Sequence, residues 1–151
     1  MLEDQELHLI HRAGQVADML LTKALEDLSI TPRQLAILSA VGQLGECSQT
    51  DIIDFTAIDR STVADLVRRL VERGLVTRQR LEHDNRIYGV TLTSEGEALR
   101  EKGTAREVDC ERELLSALSS ADAIVFRASL ESIVNRLGPV QSAIVAAKLK
   151  K

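Results

Sequence analysis

The feature that most constrains this chain is a pair of helical patterns between Ser48 and Gly74, separated by about three residues. In the second pattern apolar residues recur at the spacing of one helical face, and they are Val63, Leu66, Val67, Leu70 and Val71. Asp59 is a residue type that caps helix N-termini, and Gly74 stands where a helix can end on a residue with positive φ. Ser48 offers a similar side-chain cap to the first pattern. Two helices joined this tightly predict a helix-turn-helix.

The face of the second helix opposite its apolar stripe carries both donors and acceptors, which is typical of a surface that contacts base edges. In a helix-turn-helix, the second helix enters the major groove of DNA. We therefore expect contacts with the major groove or its flanking phosphates from Ser61, Thr62, Asp65, Arg68 and Arg69. The start of the preceding helix is expected to contact phosphate through Gln49 and Thr50.

Two short β-branched segments follow the second helix, at 75–81 and 86–92. The polar residues 82–85 join them, and this arrangement predicts a β-hairpin. A hairpin placed directly after a recognition helix is a wing. The predicted fold is mainly α with a small β-hairpin wing, a winged helix-turn-helix combined with a helical dimerisation region.

The sequence of the predicted hairpin and of the residues on either side of it resembles that of a known family. The runs Arg73–Val76, Asp84–Arg86 and Val90–Gly96 together resemble the MarR family of bacterial transcriptional regulators. In that family an Asp-x-Arg wing precedes a Leu-Thr-x-x-Gly step into a long helix. The resemblance implies a homodimer that binds pseudo-palindromic, double-stranded operator DNA and usually represses until a small ligand arrives.

The same resemblance assigns roles at the tip of the wing. It implies that Arg86 enters the minor groove and that Asp84 holds its guanidinium, with Asn85 between them at the DNA. The negative potential of a narrow minor groove favours an arginine there. The alternative is a salt bridge within the hairpin, which at a surface contributes less than ~1 kcal/mol.

The distribution of charge supports nucleic acid although the chain is acidic overall, at −4. Residues 60–86 contain seven Arg and four acids, a net of +3, while the remainder carries −7. A cationic patch on an acidic body is typical of a protein that contacts phosphate with one face. The patch adds four arginines to the expected DNA contacts, Arg60, Arg73, Arg78 and Arg80. The alternative is a solvated helix with ion pairs between residues four apart.

The chain divides into three parts of one integrated fold: an N-terminal dimerisation helix at 1–30, a winged helix-turn-helix DNA-binding domain at 31–93 and C-terminal dimerisation helices at 94–151. Glu3–Leu28 is predicted to form one amphipathic helix. Thr31, with Pro at the next position and Gln34 at the third, predicts the start of a helix that packs beneath the helix-turn-helix.

The segment after the wing predicts a long polar helix at about Glu95–Leu118, opened by a capping-box pair, Ser94 and Glu97. Its apolar positions are sparse. We therefore expect its first half to be exposed to solvent and its second half to join a helical bundle.

A last helix, capped by Ser119, is predicted to reach the Gly-Pro pair at 138–139, and an apolar, Ala-rich helical segment at 140–149 follows. These helices and the N-terminal one carry apolar stripes that one small winged domain cannot cover. A second copy of the chain is the simplest cover. A twofold dimer would place two recognition helices about 34 Å apart, one turn of DNA.

Three residues of the N-terminal helix are candidates for effector binding, His8, His11 and Arg12. We expect them to border a crevice between bundle and winged domain, where regulators similar to this one bind aromatic acids or related anions such as CoA thioesters. His8 and His11 have a spacing that can share a metal, but no matching pair of ligands stands elsewhere, so no metal and no cofactor are expected.

Two cysteines, Cys47 and Cys110, without a signal-like N-terminus indicate free thiols and a cytoplasmic protein. Peroxide-sensing members of the family have a reactive Cys in the first helix near tyrosines, and that arrangement is lacking, so structural thiols are expected. A redox- or metal-responsive regulator of the same fold is retained as an alternative.

Other classes of function have less support in the sequence. A nucleophile elbow, a phosphate loop and a metal cluster are all missing, so an enzyme is not expected. No apolar run reaches the ~20 residues that span a bilayer. With only three aromatic residues, the chain lacks a platform for stacking unpaired bases. A winged helix that binds protein instead of DNA stays open as a second alternative.

Overall fold

The computed structural model describes residues 5–81 and 84–137, with the backbone alone at 81, 84–87 and 137. Within these ranges the chain forms helices on either side of a helix-turn-helix and a small sheet. In chain order the elements are α1 (Glu6–Ala24), a 3₁₀ turn (Glu26–Leu28), α2 (Pro32–Leu44), β1 (Cys47–Ser48), α3 (Gln49–Thr56), α4 (Arg60–Glu72), β2 (Val76–Leu81), β3 (Asp84–Leu92), α5 (Ser94–Leu115) and α6 (Ser120–Leu137). The predicted fold, mainly α with a small β wing, is confirmed.

Helix α2 packs beneath the helix-turn-helix, as its sequence predicts. Thr31 and Gln34 form a reciprocal capping box: the Thr31 hydroxyl accepts from the Gln34 N–H at 3.2 Å, and Gln34 Oε1 accepts from the Thr31 N–H at 3.0 Å. The apolar side chains Ile37, Leu38 and Val41 are buried against α3, α4 and the sheet. This core supports the helix-turn-helix from below.

The sheet has three strands where the sequence predicts two. They lie in the order β1-β3-β2, and the extra strand β1 pairs antiparallel with Gly89 and Val90. Cys47 of β1 is buried, so this thiol is part of the core. Strand β3 begins at Asp84, so residues 84 and 85, predicted as part of the loop, belong to the strand.

Helix α5 differs from its prediction at its start. The N-cap is Thr93, whose hydroxyl accepts from the Gly96 N–H at 3.0 Å. Ser94 is therefore the first helical residue, and Glu97 pairs with Arg100 instead of completing a capping box with Ser94. Thr93 takes the cap because its hydroxyl also donates to the Gly74 carbonyl at 2.7 Å, which anchors it to the end of α4.

The first half of α5 is only partly exposed, contrary to prediction, because one of its faces is buried. Gly96 and Gly103 are buried in it, and they bring its backbone against Leu75 and Leu35. Leu99 packs against both apolar clusters of the chain, the one centred on α2 and the smaller one formed by Leu25, Ile30 and Leu35. The prediction relied on the small number of apolar side chains in α5. The helix packs closely all the same, because its two buried glycines let the backbone approach the core.

The outer helices follow their predictions in part. Helix α1 ends at Ala24, so the single helix predicted to reach Leu28 is wrong there: a 3₁₀ turn follows, and Ser29 adopts a left-handed φ of 53°. Ser119 caps α6 by accepting from the Asp122 N–H, as predicted. The predicted break at 138–139 and the helix at 140–149 lie outside the described residues. Among the helices described, none combines the length and apolarity needed to cross a membrane.

Candidate nucleic-acid interface

Both ends of α4 are fixed by the residues that the sequence marks. Asp59 is the N-cap and accepts from the Thr62 N–H at 2.9 Å. At the other end Gly74 has a φ of 69°, its N–H donates to the Val71 carbonyl, and the Leu75 N–H donates to the Leu70 carbonyl. This pair of bonds is a complete Schellman motif. The length and exit direction of α4 are therefore set locally.

The predicted polar face of α4 is turned to solvent. Val63, Val67 and Leu70 are buried on the opposite side, while Arg60, Ser61, Arg68 and Arg69 are exposed, and Thr62 and Asp65 are half-buried. The face is free to meet a partner.

The charged groups on this face bind one another. Asp65 Oδ1 lies 2.6 Å from Arg68, and Asp65 Oδ2 lies 2.8 Å from Arg69 Nε. Arg68 also reaches Glu72 at 2.6 Å. The hydrogen bond from Arg68, followed by the positive charge of Arg69, lowers the pKa of Asp65. The ion pairs of the solvated-helix alternative thus exist, on the same face that is predicted to contact DNA.

The hydroxyls at the start of α4 are organised by its cap. Ser61 donates to Asp59 Oδ1 at 2.6 Å, and Thr62 donates to Asp59 Oδ2 at 2.6 Å. These bonds, the Ser61 bond first, hold the pKa of Asp59 far below its ordinary value. With their protons engaged, both hydroxyls can present acceptor lone pairs to solvent.

The start of α3 is also capped. The Ser48 hydroxyl accepts from the Asp51 N–H at 3.2 Å, and Asp51 Oδ2 accepts from the Ser48 N–H at 2.8 Å. Gln49 and Thr50 are the first two helical residues, with Gln49 half-buried and Thr50 exposed. Both lie where the helix N-terminus favours an anion such as phosphate.

Strand β2 carries two arginines beside a tyrosine of β3. Arg80 is paired with Tyr88 across β2 and β3, and Arg78 is on the same face two residues earlier. The guanidinium carbons of Arg78 and Arg80 lie 4.5 and 5.6 Å from the centre of the Tyr88 ring. Nearer the core this face carries the buried residues Val76 and Val90. The hairpin therefore changes from apolar to cationic as it leaves the protein body.

Three residues predicted to contact DNA from the wing belong to β3 by their backbone, Asp84, Asn85 and Arg86. Their side chains lie outside the described part of the structure. Their predicted roles stay predictions.

Arg73 makes a contact that the sequence does not predict. Its guanidinium donates to the carbonyl of Ser29, the left-handed residue before α2, at 2.8 Å. On the other side of the 3₁₀ turn, Arg106 of α5 pairs with Asp27 at 3.0 Å. The turn that leads out of α1 is thereby bound to the end of α4 and to α5.

Of the two cavities beside α1 that follow, both formed by residues that the structure describes, neither is lined by all three effector residues expected on this helix. Arg12 borders a shallow depression of about 170 Å³. A larger cavity of about 290 Å³ between α1 and α5 is lined by Ala17, Leu20, Leu21, Glu107, Cys110, Glu111 and Leu114. His8 and His11 line neither of these two. His8 is half-buried and His11 is exposed.

Sequence reasoning missed two contributors to this surface. Tyr88 was not predicted to take part, although it lies opposite Arg80 in the hairpin, and this pairing favours the stacking seen. Asp59 was assigned a capping role only, although a hydroxyl two and three residues after a capping carboxylate is a signal for the bonds observed.

Helices α3 and α4 form a helix-turn-helix, and the exposed face of α4, the second of the two, is polar. Together with the cationic hairpin that follows, they define a winged helix-turn-helix protein. The comparisons with known proteins agree and add the family. A model described as the MarR family matches residues 28–87. Over 122 residues, 79% of this chain and 88% of the relative, the sequence is 31% identical to an uncharacterised helix-turn-helix transcriptional regulator, YwoH of Bacillus subtilis. The chain belongs to the MarR family of transcriptional regulators.

Two solved structures illustrate the similarity. BpsR of Bordetella bronchiseptica, whose DNA binding is regulated by 6-hydroxynicotinic acid, superposes with a TM-score of 0.84 at 28% identity, over 89% of this chain and 96% of that one. A mutant MarR of E. coli in complex with operator DNA gives a TM-score of 0.75 at 28% identity, over 87% and 91%.

Proposed function

We propose that this protein is a cytoplasmic, sequence-specific repressor that binds double-stranded operator DNA as a homodimer and is released by a small molecule. The observation that carries the proposal is the polar face of α4, which is solvent-exposed beside a hairpin that bears Arg78 and Arg80. An acidic body with a cationic face meets a duplex in one orientation only.

The proposed contacts follow from this placement. Ser61, Thr62, Arg68 and Arg69 face the major groove, with Asp65 among them. Gln49, Thr50 and Arg60 lie at helix starts, where phosphate is favoured. Arg78 and Arg80 extend from the hairpin toward the flanking backbone, and Asp84, Asn85 and Arg86 are assigned to the minor groove by family resemblance.

The proposed dimer rests on apolar residues that a single chain leaves exposed. On α1, Leu7 is 65% exposed and Met19 is 63% exposed; on α6, Val134 is 64% exposed. Large apolar side chains that are exposed to this degree on two helices are typical of an interface between subunits. An isologous contact through these helices would hold two copies of α4 for successive turns of one duplex.

The first test is direct binding. We expect the protein to bind a duplex chosen from a random library by in vitro selection more tightly than random DNA, with log affinity falling steeply as log salt rises. A winged helix that binds only protein would select no duplex, and this outcome would contradict the proposal.

Replacing Arg86 with alanine is expected to weaken operator binding by about tenfold to a hundredfold, since a specific arginine contact in a groove contributes about 1–3 kcal/mol. Fluorescence anisotropy with the selected duplex measures the loss. Gln79→Ala, on the opposite face of the hairpin from Arg78 and Arg80, serves as the control. Unchanged affinity in Arg86→Ala would remove the minor-groove assignment.

Arg73 is expected to position α4 instead of contacting phosphate, because its guanidinium is bound to Ser29. Arg73→Met should weaken operator binding by about fivefold, the effect of one lost hydrogen bond, with the slope of log affinity against log salt unchanged. Arg60→Met is the matched control, and it should reduce that slope by about 0.9. A reduced slope in Arg73→Met would restore Arg73 to the phosphate contacts.

The proposed effector is an aromatic acid or a related anion, on the example of BpsR. The cavity between α1 and α5 does not suit an anion, since Glu107 and Glu111 line it. Burial and then the charge of Glu111 raise the pKa of Glu107. The depression bordered by Arg12 is the better place for a carboxylate, because the guanidinium supplies a positive charge. A thermal-shift screen with phenolic acids and CoA thioesters tests this class of effector. If none of these compounds changes the thermal midpoint, the proposed class is wrong.

A redox-responsive regulator is less consistent with the thiols. Cys47 is buried in the core. Burial, followed by the charge of Glu113, raises the pKa of Cys110, which lowers its thiolate fraction and its reactivity. Neither observation favours a sensing cysteine.

A further inference from the structure

The carboxylate of Asp65 holds two arginines of the face proposed to meet DNA. Each of its oxygens contacts a different one, Arg68 at 2.6 Å and Arg69 at 2.8 Å. The second anchor of Arg68 is Glu72, one helical turn beyond Asp65. Two acids and two arginines thus form one connected group with no net charge on the solvent side of α4.

An acid at this position carries a cost for DNA binding in general. Asp65 repels phosphate, and it also engages arginines that would otherwise release counterions from any duplex. On random DNA, Arg68 and Arg69 therefore have partners inside α4 with which phosphate must compete. A bidentate arginine contact to guanine competes better, because it is stronger than an exposed ion pair.

We propose that Asp65 is a specificity-determining residue that acts through Arg68 and Arg69, holding them within α4 until a duplex offers bases that can replace its carboxylate. The inference rests on the proposed function and extends it. Asp65 is a positioning residue in this view and not itself a base contact, since both of its oxygens are occupied by arginines.

The group also restricts the arginine side chains before DNA arrives. A free arginine side chain samples many rotamers, and ordering it on binding opposes affinity. Asp65 orders both arginines along the helix face in the free protein. The gain applies only to duplexes whose bases match that arrangement. Preorganisation of the arginines and suppression of random binding therefore both raise the ratio of the affinity for a matching duplex to the affinity for random DNA.

The experiment compares Asp65→Asn with the parent protein on two duplexes of equal length, one obtained by in vitro selection and one random, over a series of salt concentrations. We expect Asp65→Asn to bind random DNA about tenfold more tightly, with a salt slope steeper by about one to two, as one or two more phosphates are neutralised. Affinity for the selected duplex should change by less than about threefold, so the ratio of the two affinities falls.

Two control variants separate this effect from simple charge. Glu101→Gln removes one negative charge from the exposed side of α5 and should leave the ratio unchanged. Glu72→Gln loosens Arg68 alone and should reduce the ratio by less than Asp65→Asn does. An unchanged thermal midpoint in each variant shows that the fold is retained, as expected for positions on the solvent side of helices.

The outcomes distinguish the inference from the proposed function. Equal gains on both duplexes in Asp65→Asn would reduce Asp65 to a general charge effect and overturn the inference. A loss on the selected duplex that disappears when one C·G pair is replaced would make Asp65 a direct base contact, which also overturns it. Failure of the parent protein to select any duplex would instead contradict the proposed function.

Discussion

Replacing Gly96 with alanine is expected to destabilise the protein by about 3 kcal/mol, at the upper end of what an added methyl costs in a packed site. A Cβ built at Gly96 lies 1.8 Å from the carbonyl oxygen of Leu75 and 2.9 Å from its carbonyl carbon. The obstacle is backbone, which cannot rotate away as the end of a side chain can. The free energy of unfolding in urea measures the loss.

The backbone at Gly96 cannot retreat because the same oxygen is part of a junction. The Leu75 carbonyl accepts from the Thr93 N–H at 3.1 Å, and the Thr93 hydroxyl donates to the Gly74 carbonyl. The start of α5 is therefore bound directly to the residues that end α4. Separating them to admit a methyl group would break these bonds and tilt the recognition helix, so residual folded Gly96→Ala protein should also bind DNA more weakly.

Two other glycines provide graded controls for this prediction. A Cβ at Gly103 meets the terminal methyl of Leu35 at 2.5 Å, and a rotamer change can relieve that contact, so Gly103→Ala is expected to cost about 1 kcal/mol. Gly14, within α1, has nothing within 4 Å of such a Cβ, and Gly14→Ala should stabilise by about 0.5–1 kcal/mol through helix propensity. Equal stabilities of the Gly96 and Gly14 variants would contradict the junction's role.

Local signals in the sequence predicted most of the winged domain. Helix α4 begins after Asp59, whose carboxylate caps it, and ends before Gly74, which adopts a positive φ because it has no side chain. Thr31 and Gln34 cap the start of α2 in a similar way. Each of these bonds joins residues close in the chain, so residue type and spacing suffice to predict it. The hairpin between β2 and β3 is predictable for the same reason.

The features that were missed depend on contacts between distant residues. Strand β1 has two residues, too few for any periodicity, and exists because Cys47 and Ser48 meet β3 more than 40 residues later. Thr93 caps α5 in preference to Ser94 because Gly74 is within reach of its hydroxyl. The bond from Arg73 to Ser29 joins residues 44 apart, so the sequence shows only another arginine.

Replacing Ile133 with glutamate is expected to separate the proposed dimer and abolish tight operator binding. Ile133, 47% exposed in one chain, shares a face of α6 with Phe126, Leu130 and Val134. If a second copy covers this face, the variant buries a carboxylate without a partner. An unpaired buried charge costs about 4 kcal/mol, and a twofold interface contains it twice. The dimer dissociation constant should rise by at least about a thousandfold.

The neighbouring Ser132 supplies the matched control for the dimer prediction. It is exposed and lies on α6 about 100° away from Ile133, outside the apolar stripe. Ser132→Glu adds the same charge to the same turn of helix, so it should leave the mass in analytical ultracentrifugation and the operator affinity unchanged. Ile133→Glu should sediment as a monomer and lose operator affinity by about a hundredfold or more, because each recognition helix then binds its half-site alone. A parent protein that is already monomeric at micromolar concentration, or a dimer unaffected by Ile133→Glu, would show that this face of α6 is not the subunit interface.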